Sequence, residues 1–330
     1  MKRALTFFLL LLPCTALFSQ DLSSVFQLTA PPRKPVRSLY KTIIFFDSRQ
    51  DTTIGTYLTG PDNKTVKLVL KATAQPQMVN ILNAYTDAGS GNGAILFQLK
   101  RFSFAEPART RYCYLSAAIY ALKDAGYVRL ASLDTTLVIT SAAEFPSVLS
   151  QEGNQVIDDF IAKAILLPAT DAVVYSYDDL VHIDSVEKRR IPVYNTNTYK
   201  EGLYGTYSSF MNQQPDVKGE VKEKSDGKLS VRILDPKWED PKGLVHIFAV
   251  VYKGIPYVVT HYGDYPMQKL NDDFYFTGKL RVAPATDGKA GLDVSAGLMG
   301  IVPSADKGDY RVLLDHTNGE FIHLQIIDTY

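Results

Sequence analysis

Residues 199–216 read YKEGLYGTYSSFMNQQPD, and the way this stretch must fold organises the chain around it. Gly202 and Gly205 punctuate the backbone, the Thr206 hydroxyl is placed to cap a helix, and Tyr207, Phe210 and Met211 fall at i, i+3 and i+4 on one face. Pro215 ends the pattern. The spacing predicts a helix of one or two turns, too short to be stable alone. Its aromatic face therefore has to dock on a sheet built by the residues downstream.

Those residues read as strands: Lys228–Leu234, Val245–Tyr252, Tyr257–His261, Phe274–Val282, Tyr310–Asp315 and Phe321–Ile326. Lys253-Gly254 and Thr317-Asn318-Gly319 carry hairpin-turn chemistry. Upstream of the opening stretch lie the polar, charged segment Asp178–Arg190 and then Ile191–Asn195. Together, 171–330 reads as a β-rich unit.

The first half has a different rhythm. Tyr40–Phe46 is an apolar strand, Val66–Ala72 alternates, and Pro76 opens a helix with Met78, Val79, Leu82 and Tyr85 on one face, closed by Gly89. Gly93–Phe104 is a strand. Arg111–Leu122 alternates, with Cys113, Leu115, Ala117, Ile119 and Ala121 on one side and Tyr112, Tyr114, Ser116 and Tyr120 on the other. Asp124-Ala125-Gly126 turns the chain into Tyr127–Thr140. Gln151–Leu167 is the clearest helix, with Val156, Ile157, Phe160, Ile161, Ala164 and Ile165 at helical spacing, and Pro168 ends it. The order β-β-α-β-β-β-α fits an α+β layer sandwich over 38–168, an antiparallel-rich sheet with helices on one face. Leu22–Arg37, with Pro31, Pro32 and Pro35, reads as an extended lead-in within 20–37.

At the N-terminus, Lys2 and Arg3 precede the apolar run Leu5–Leu12, and Ser19 stands before Gln20. This is the layout of a signal peptide over 1–19. The rival, a lipid-anchor signal at Cys14, is disfavoured by Pro13 in the place of a small residue. Removing Lys2 and Arg3 takes the basic count from 35 to 33 against 35 acidic residues, a mature charge of about −2, which points to neither nucleic acid nor an anionic membrane. With Cys14 gone, Cys113 has no partner within the chain and reads as a packing residue.

Two resemblances sit on these residues. IIFFDSRQDTTIG, with Asp47, Arg49 and Gly55, followed by strand, helix, strand, paired strands and helix, resembles the YajG-like family of small bacterial envelope lipoproteins. This implies an envelope location and a fold but no activity. In the second half, IPVYNTNTYKEGLYGTYSSFMNQQP, YPMQKLNDDFYFTG and YRVLLDHTNGEFIHL resemble an uncharacterised family of secreted bacterial proteins with the pattern G-x-Y-x-[ST]-[YF]-x-x-F-x-x-N-x-P. It falls here on Gly202, Tyr204, Thr206, Tyr207, Phe210 and Pro215. Members of that family commonly carry acids where Ser208 and Ser209 stand, so half of a capping box is missing and the helix start is expected to fray.

Candidate chemistry is sparse. His182, His246, His261, His316 and His323 lack metal-ligand spacing, so no metal site is assigned. Gly89–Gly93 follows a helix and precedes a strand, the reverse of a phosphate-binding loop, and reads as a flexible connector. There is no nucleophile elbow and no cofactor motif. The acidic pairs Asp178/Asp179, Glu239/Asp240 and Asp272/Asp273 read as solvated loops. Leu292–Pro303 is apolar but too short to span a bilayer. Tyr257, Tyr262, Tyr265 and Tyr275 are the candidate binding residues, aromatics that either line a groove for a peptide or glycan or pack across strands. The reading is an exported, non-enzymatic binding or scaffolding protein, periplasmic, outer-membrane associated or extracellular, with an envelope protein, peptide or glycan as partner. A glycan-acting hydrolase with carboxylates drawn from distant loops is the alternative.

Overall fold

The structure, a computed structural model, describes residues 22–62, 64–105, 111–124, 126–139, 145–170, 173–225, 227–234, 247–260, 262–279 and 309–327. The expected signal peptide with Cys14, the segment Leu292–Pro303, His246, His261 and the Glu239/Asp240 pair lie outside the described residues.

The first half comprises β1 (Leu22–Phe26), β2 (Tyr40–Asp47), β3 (Thr53–Thr59), β4 (Lys64–Leu70), α1 (Ala74–Tyr85), β5 (Gly93–Ala105), β6 (Arg111–Lys123), β7 (Gly126–Ile139) and α2 (Phe145–Ala164). A five-stranded sheet runs β2-β5-β6-β7 and then β8 (Val174–Tyr175). β2 pairs parallel to β5, and the other pairs are antiparallel. A second, three-stranded sheet orders β1-β4-β3. Its Phe26, Ile54 and Leu68 share one core with Met78, Ile81 and Leu82 of α1, Ile157, Phe160 and Ile161 of α2, and the Cys113 to Ala121 face of β6.

The alternation of β6 sorts its side chains as the sequence predicts, yet residues 111–121 are buried on both sides. That is why the strand is apolar almost throughout, the pattern of a strand covered on both faces. Cys113 is fully buried, and burial pushes its thiol up. Among the differences from the expectation, Val79 points outward and Ile81 takes its place on the buried face of α1. α2 begins at Phe145 rather than Gln151, because Phe145 and Leu149 extend the apolar face and Gly153 lets the Phe26 ring approach mid-helix.

Within the expected lead-in 20–37, the described residues 22–37 do more than extend the chain. β1 pairs parallel to β4, and the chain after it is tied down by core side chains. Leu28 N donates to Gln77 Oε1 and Thr29 N to Asn154 Oδ1, both at 2.9 Å, while Val36 N reaches Tyr85 O at 2.7 Å. Proline marked this segment as irregular, but helix-borne amides satisfy its backbone. The edge of β2 is closed in the same way: Gln75 accepts from Phe45 N and donates to Ile43 O, which denies this edge to a further strand. Gly91 and Gly93 lie close against Leu39 O and the Tyr40 ring, so this end of the Gly89–Gly93 link is packed against the start of β2.

The second half contains α3 (Tyr177–Val181), α4 (Ile183–Lys188), a 3-10 turn (Pro192–Asn195), β9 (Gly202–Tyr204), α5 (Tyr207–Met211), β10 (Gly219–Glu223), β11 (Leu229–Ile233), β12 (Ala249–Tyr252), β13 (Ile255–Thr260), β14 (Gly263–Pro266), β15 (Gln268–Leu270), β16 (Asp273–Gly278), β17 (Asp309–Leu314) and β18 (Phe321–Ile327). Two four-stranded sheets, β14-β13-β12-β9 and β15-β16-β17-β18, enclose a core of Tyr204, Phe210, Ala249, Val251, Val258, Phe274, Phe276, Val312 and Leu314. The β10-β11 ribbon covers the other face of the first of these sheets through Val221, Leu229, Val231 and Ile233. Both anticipated hairpin turns form, with Lys253, Gly254 and Gly319 at positive φ.

The helices α3 and α4, read from sequence as a polar opening of the second unit, cover the far face of the five-stranded sheet. Leu180, Ile183 and Val186 pack on Leu96, Ala118, Tyr120 and Tyr175. Helices therefore lie on both faces of that sheet, not on one. Asp178 and Asp179 belong to the first turn of α3, where Asp179 and Ser176 form a reciprocal capping box.

Candidate functional site

The opening stretch folds into a knot that reaches the boundary between the two halves. Thr206 Oγ1 accepts from Ser209 N, and Ser209 Oγ accepts from Thr206 N, both at 3.1 Å, so α5 starts on a complete capping box. The expected fraying does not occur: a serine hydroxyl at the third helical position replaces the acid. Phe210 is fully buried against Tyr204, Phe248 and Phe274. Gly202 has φ +141°, and a β-carbon there would stand 2.7 Å from Pro215 Cβ, so these two motif positions lock together. Tyr204 donates to Lys200 O at 2.5 Å, and Tyr207 donates to His316 O at 2.8 Å.

His316 lies in the β17–β18 turn, and this turn closes on the far face of the first sheet. There the strands present Lys100 and Arg101 from β5, Arg129 and Asp134 from β7, and Ser116 from β6, while α4 presents Asp184 and Glu187. Glu187 is the hub. Its Oε1 accepts from Arg129 at 2.9 Å, and its Oε2 accepts from Lys100 at 2.9 Å and lies 3.2 Å from His316 Nε2. Burial by itself would raise the Glu187 carboxyl, but His316 and Lys100 more than offset it and hold the group down to about 2. Burial lowers the Lys100 ammonium, but the Glu187 and Asp184 carboxylates outweigh it and raise the group.

Beside this hub, Asp315 takes the Arg101 guanidinium on Oδ2 and Thr317 N on Oδ1. Further along β6, the Tyr114 hydroxyl accepts from His323 N at 3.1 Å and lies 2.9 Å from His323 Nδ1, with Tyr112 stacked on the same ring. Burial pushes the His323 imidazole down to about 4. Lys188 of α4 adds a pair with Asp273 at 2.7 Å.

Ligand atoms of Asp184, Glu187 and His316 all lie within 4.8 Å of one another, a grouping the sequence spacing did not announce. The Lys100 ammonium already bridges both carboxylates, 3.2 Å from Asp184 and 2.9 Å from Glu187, so the place a cation would take is filled from within the fold. The space among Lys100, Arg101, Ser116, Asp184, Asp315, His316 and Thr317 is of water size. Chemically, the cluster neutralises charge and fixes geometry.

The tyrosines proposed from sequence go to separate places. Tyr257 packs on the side of β13 covered by the β10-β11 ribbon. Tyr265 stands on the opposite face, paired across the strands with Val258 and stacked on Phe276 at 6.1 Å. Tyr262 lies in the β13–β14 turn and is 43% exposed. Tyr275 projects from the other sheet beneath the Arg311 guanidinium at 5.0 Å. No single groove collects them. Gly202, Tyr204, Tyr207, Phe210 and Pro215, by contrast, all meet in the knot.

No family model matches the chain, and no curated protein matches it. Two solved structures share a partial likeness. One is a Xanthomonas campestris protein of the uncharacterised DUF330 family, at 11% identity over 43% of this chain and 95% of that one, with a TM-score of 0.31. The other is an uncharacterized protein, at 14% identity over 44% and 99%, with a TM-score of 0.26. Likeness at this level transfers no activity. Among the described residues, no helix is long and apolar enough to cross a membrane.

Proposed function

We propose that this chain is an exported, non-catalytic scaffolding or binding protein of the cell envelope, built as two units, 38–168 and 171–330, with 174–190 as the strap by which the second holds the first. The observation that carries this reading is the engagement of Glu187: three cationic or donor groups from three segments of the chain occupy both of its oxygens. A catalytic carboxylate needs a free face toward substrate. A largely buried carboxylate engaged in this way instead fixes one body on another, as buried ion pairs do when they specify an arrangement. The apolar run after Lys2 and Arg3 and the resemblances to an envelope-lipoprotein family and to a family of secreted proteins support export.

Complementation of a strain lacking the protein tests the scaffold reading against the enzyme. For Glu187→Gln, Asp184→Asn and Asp315→Asn, function is expected to fall only in step with the unfolding midpoint. A variant that keeps the wild-type midpoint and loses all function would overturn the reading. Intact mass of the exported protein, expected to begin at Gln20 without lipid, tests the address.

A further inference from the structure

The β17–β18 turn meets the first sheet through a chain of three oxygens. Thr317 Oγ1 lies 2.7 Å from Asp134 Oδ2 and 2.5 Å from Asp315 Oδ1. A hydroxyl has one proton to donate, so it serves one carboxylate. The second contact, also at hydrogen-bond distance, needs a proton on the other oxygen. Asp315 is the group that stays ionised. Burial raises it, but Arg101 and the Thr317 donors outweigh burial and hold its carboxyl well below the usual carboxylate range. Asp134 is the group that keeps the proton: burial first and the neighbouring Asp315 charge second push its carboxyl up to about 7, against smaller opposing effects of Thr317 and Arg101.

The charged groups facing Asp134 come from each element packed around it. Arg101 faces it from β5, Asp315 from the end of β17, and Glu320 from the start of β18, where Thr136 of β7 donates to Glu320 at 3.4 Å. His316 turns the other way, toward Glu187 and Asp184, with Lys100 between them.

We propose that this junction is a proton-dependent latch between the two halves: the order Asp134 O–H to Thr317 O–H to Asp315 carboxylate holds the 315–320 turn on the sheet, and ionisation of Asp134 releases it. Once Asp134 is ionised, two carboxylates face a single hydroxyl proton and repel each other across it. The sign follows from proton linkage. The closed junction keeps a proton that the unfolded chain gives up near 3.8, so its contribution is complete below that value and is lost as pH rises through about 7.

Hydrogen exchange of the full chain, followed at 315–320 from about pH 4 to about pH 8 and corrected for the intrinsic base-catalysed rate, tests the latch. Protection is expected to fall by up to about tenfold per pH unit, the limit for one released proton, as pH rises from near 3.8 to about 7, and to level off above that. In Asp134→Asn the amide donates to Thr317 at every pH, and the corrected profile is expected to be flat. A flat wild-type profile, or an Asn variant that follows the wild type, would overturn the proposal. Should the variant not fold, carbon NMR of the assigned Asp134 carboxyl in the wild type decides, the assignment keeping it apart from Asp158, which burial and Asp159 also push up to about 7: titration of Asp134 near neutrality supports the latch, and its ionisation by about pH 6 sinks it.

Discussion

The ring of Tyr207 lies directly on the backbone of Gly319, so closely that a β-carbon built there would stand 2.3 Å from Tyr207 Cγ. Gly319 also has φ +79°, and its N–H closes the turn on Asp315 O at 2.9 Å. The opening stretch and the turn that docks on the first sheet thus touch at a position only glycine fits. Gly319→Ala is expected to cost about 1–2 kcal/mol for the left-handed backbone and about 1–3 kcal/mol for crowding the ring. A fall in the denaturant midpoint checks this; an unchanged midpoint would show that the turn yields freely.

Phe210 has no exposed surface, and its ring meets three other aromatic rings. Truncation to alanine is expected to cost about 3–5 kcal/mol, a large part of a typical domain's total of about 5–15. Ser208, exposed on the outer side of α5, is expected to tolerate alanine with little change. Unfolding curves of the two variants compare them directly, and equal midpoints would refute the anchoring role.

The capping box gives Ser209 a role that its identity alone hides. Ser209→Ala removes the acceptor for Thr206 N and is expected to cost about 0.5–2 kcal/mol, whereas Ser209→Glu, which restores the familiar capping partner, is expected to recover most of that loss. If the alanine and glutamate variants match in stability, the hydroxyl contributes nothing.

His323 sets an acid limit. Its imidazole is pushed by burial down to about 4 from an ordinary 6.5, so the unfolded chain binds a proton in this window that the folded chain refuses. The contribution is therefore present above about 6.5 and is lost as pH falls toward about 4. Replacing it by glutamine, which keeps a hydrogen-bonding group near Tyr114, should flatten that part of the pH dependence. The quantity to measure is the stability difference between wild type and His323→Gln at several pH values, which cancels the opposite trend from Asp134. A pH-independent difference would exclude the assignment.

Local patterning made much of the fold legible. The two faces of β6, the apolar face of α2, the glycine hairpin turns and the docking of Phe210 all follow from periods of 2 and 3.6 or from turn chemistry within a few residues. β1 escaped because prolines just after it marked the segment as irregular, and because the groups that satisfy its continuation, Gln77 and Asn154, lie on helices about 49 and 125 residues away. α3 and α4 read as a polar segment because only Leu180, Ile183 and Val186 turn inward, too few to announce a buried face.

The sequence by itself determined the long strands β2, β5, β6 and β7, the short aromatic helix and the inert setting of Cys113, since each rests on neighbours along one strand or one turn of helix. Tertiary structure alone decided the charge cluster. Lys100, Arg129, Glu187 and His316 share no motif and no spacing, and nothing about any of them foretells a partner. Their meeting depends on how α4 and the β17–β18 turn close over the same face of the first sheet, and Coulomb attraction between buried groups acts on distance in space, which separation along the chain does not encode.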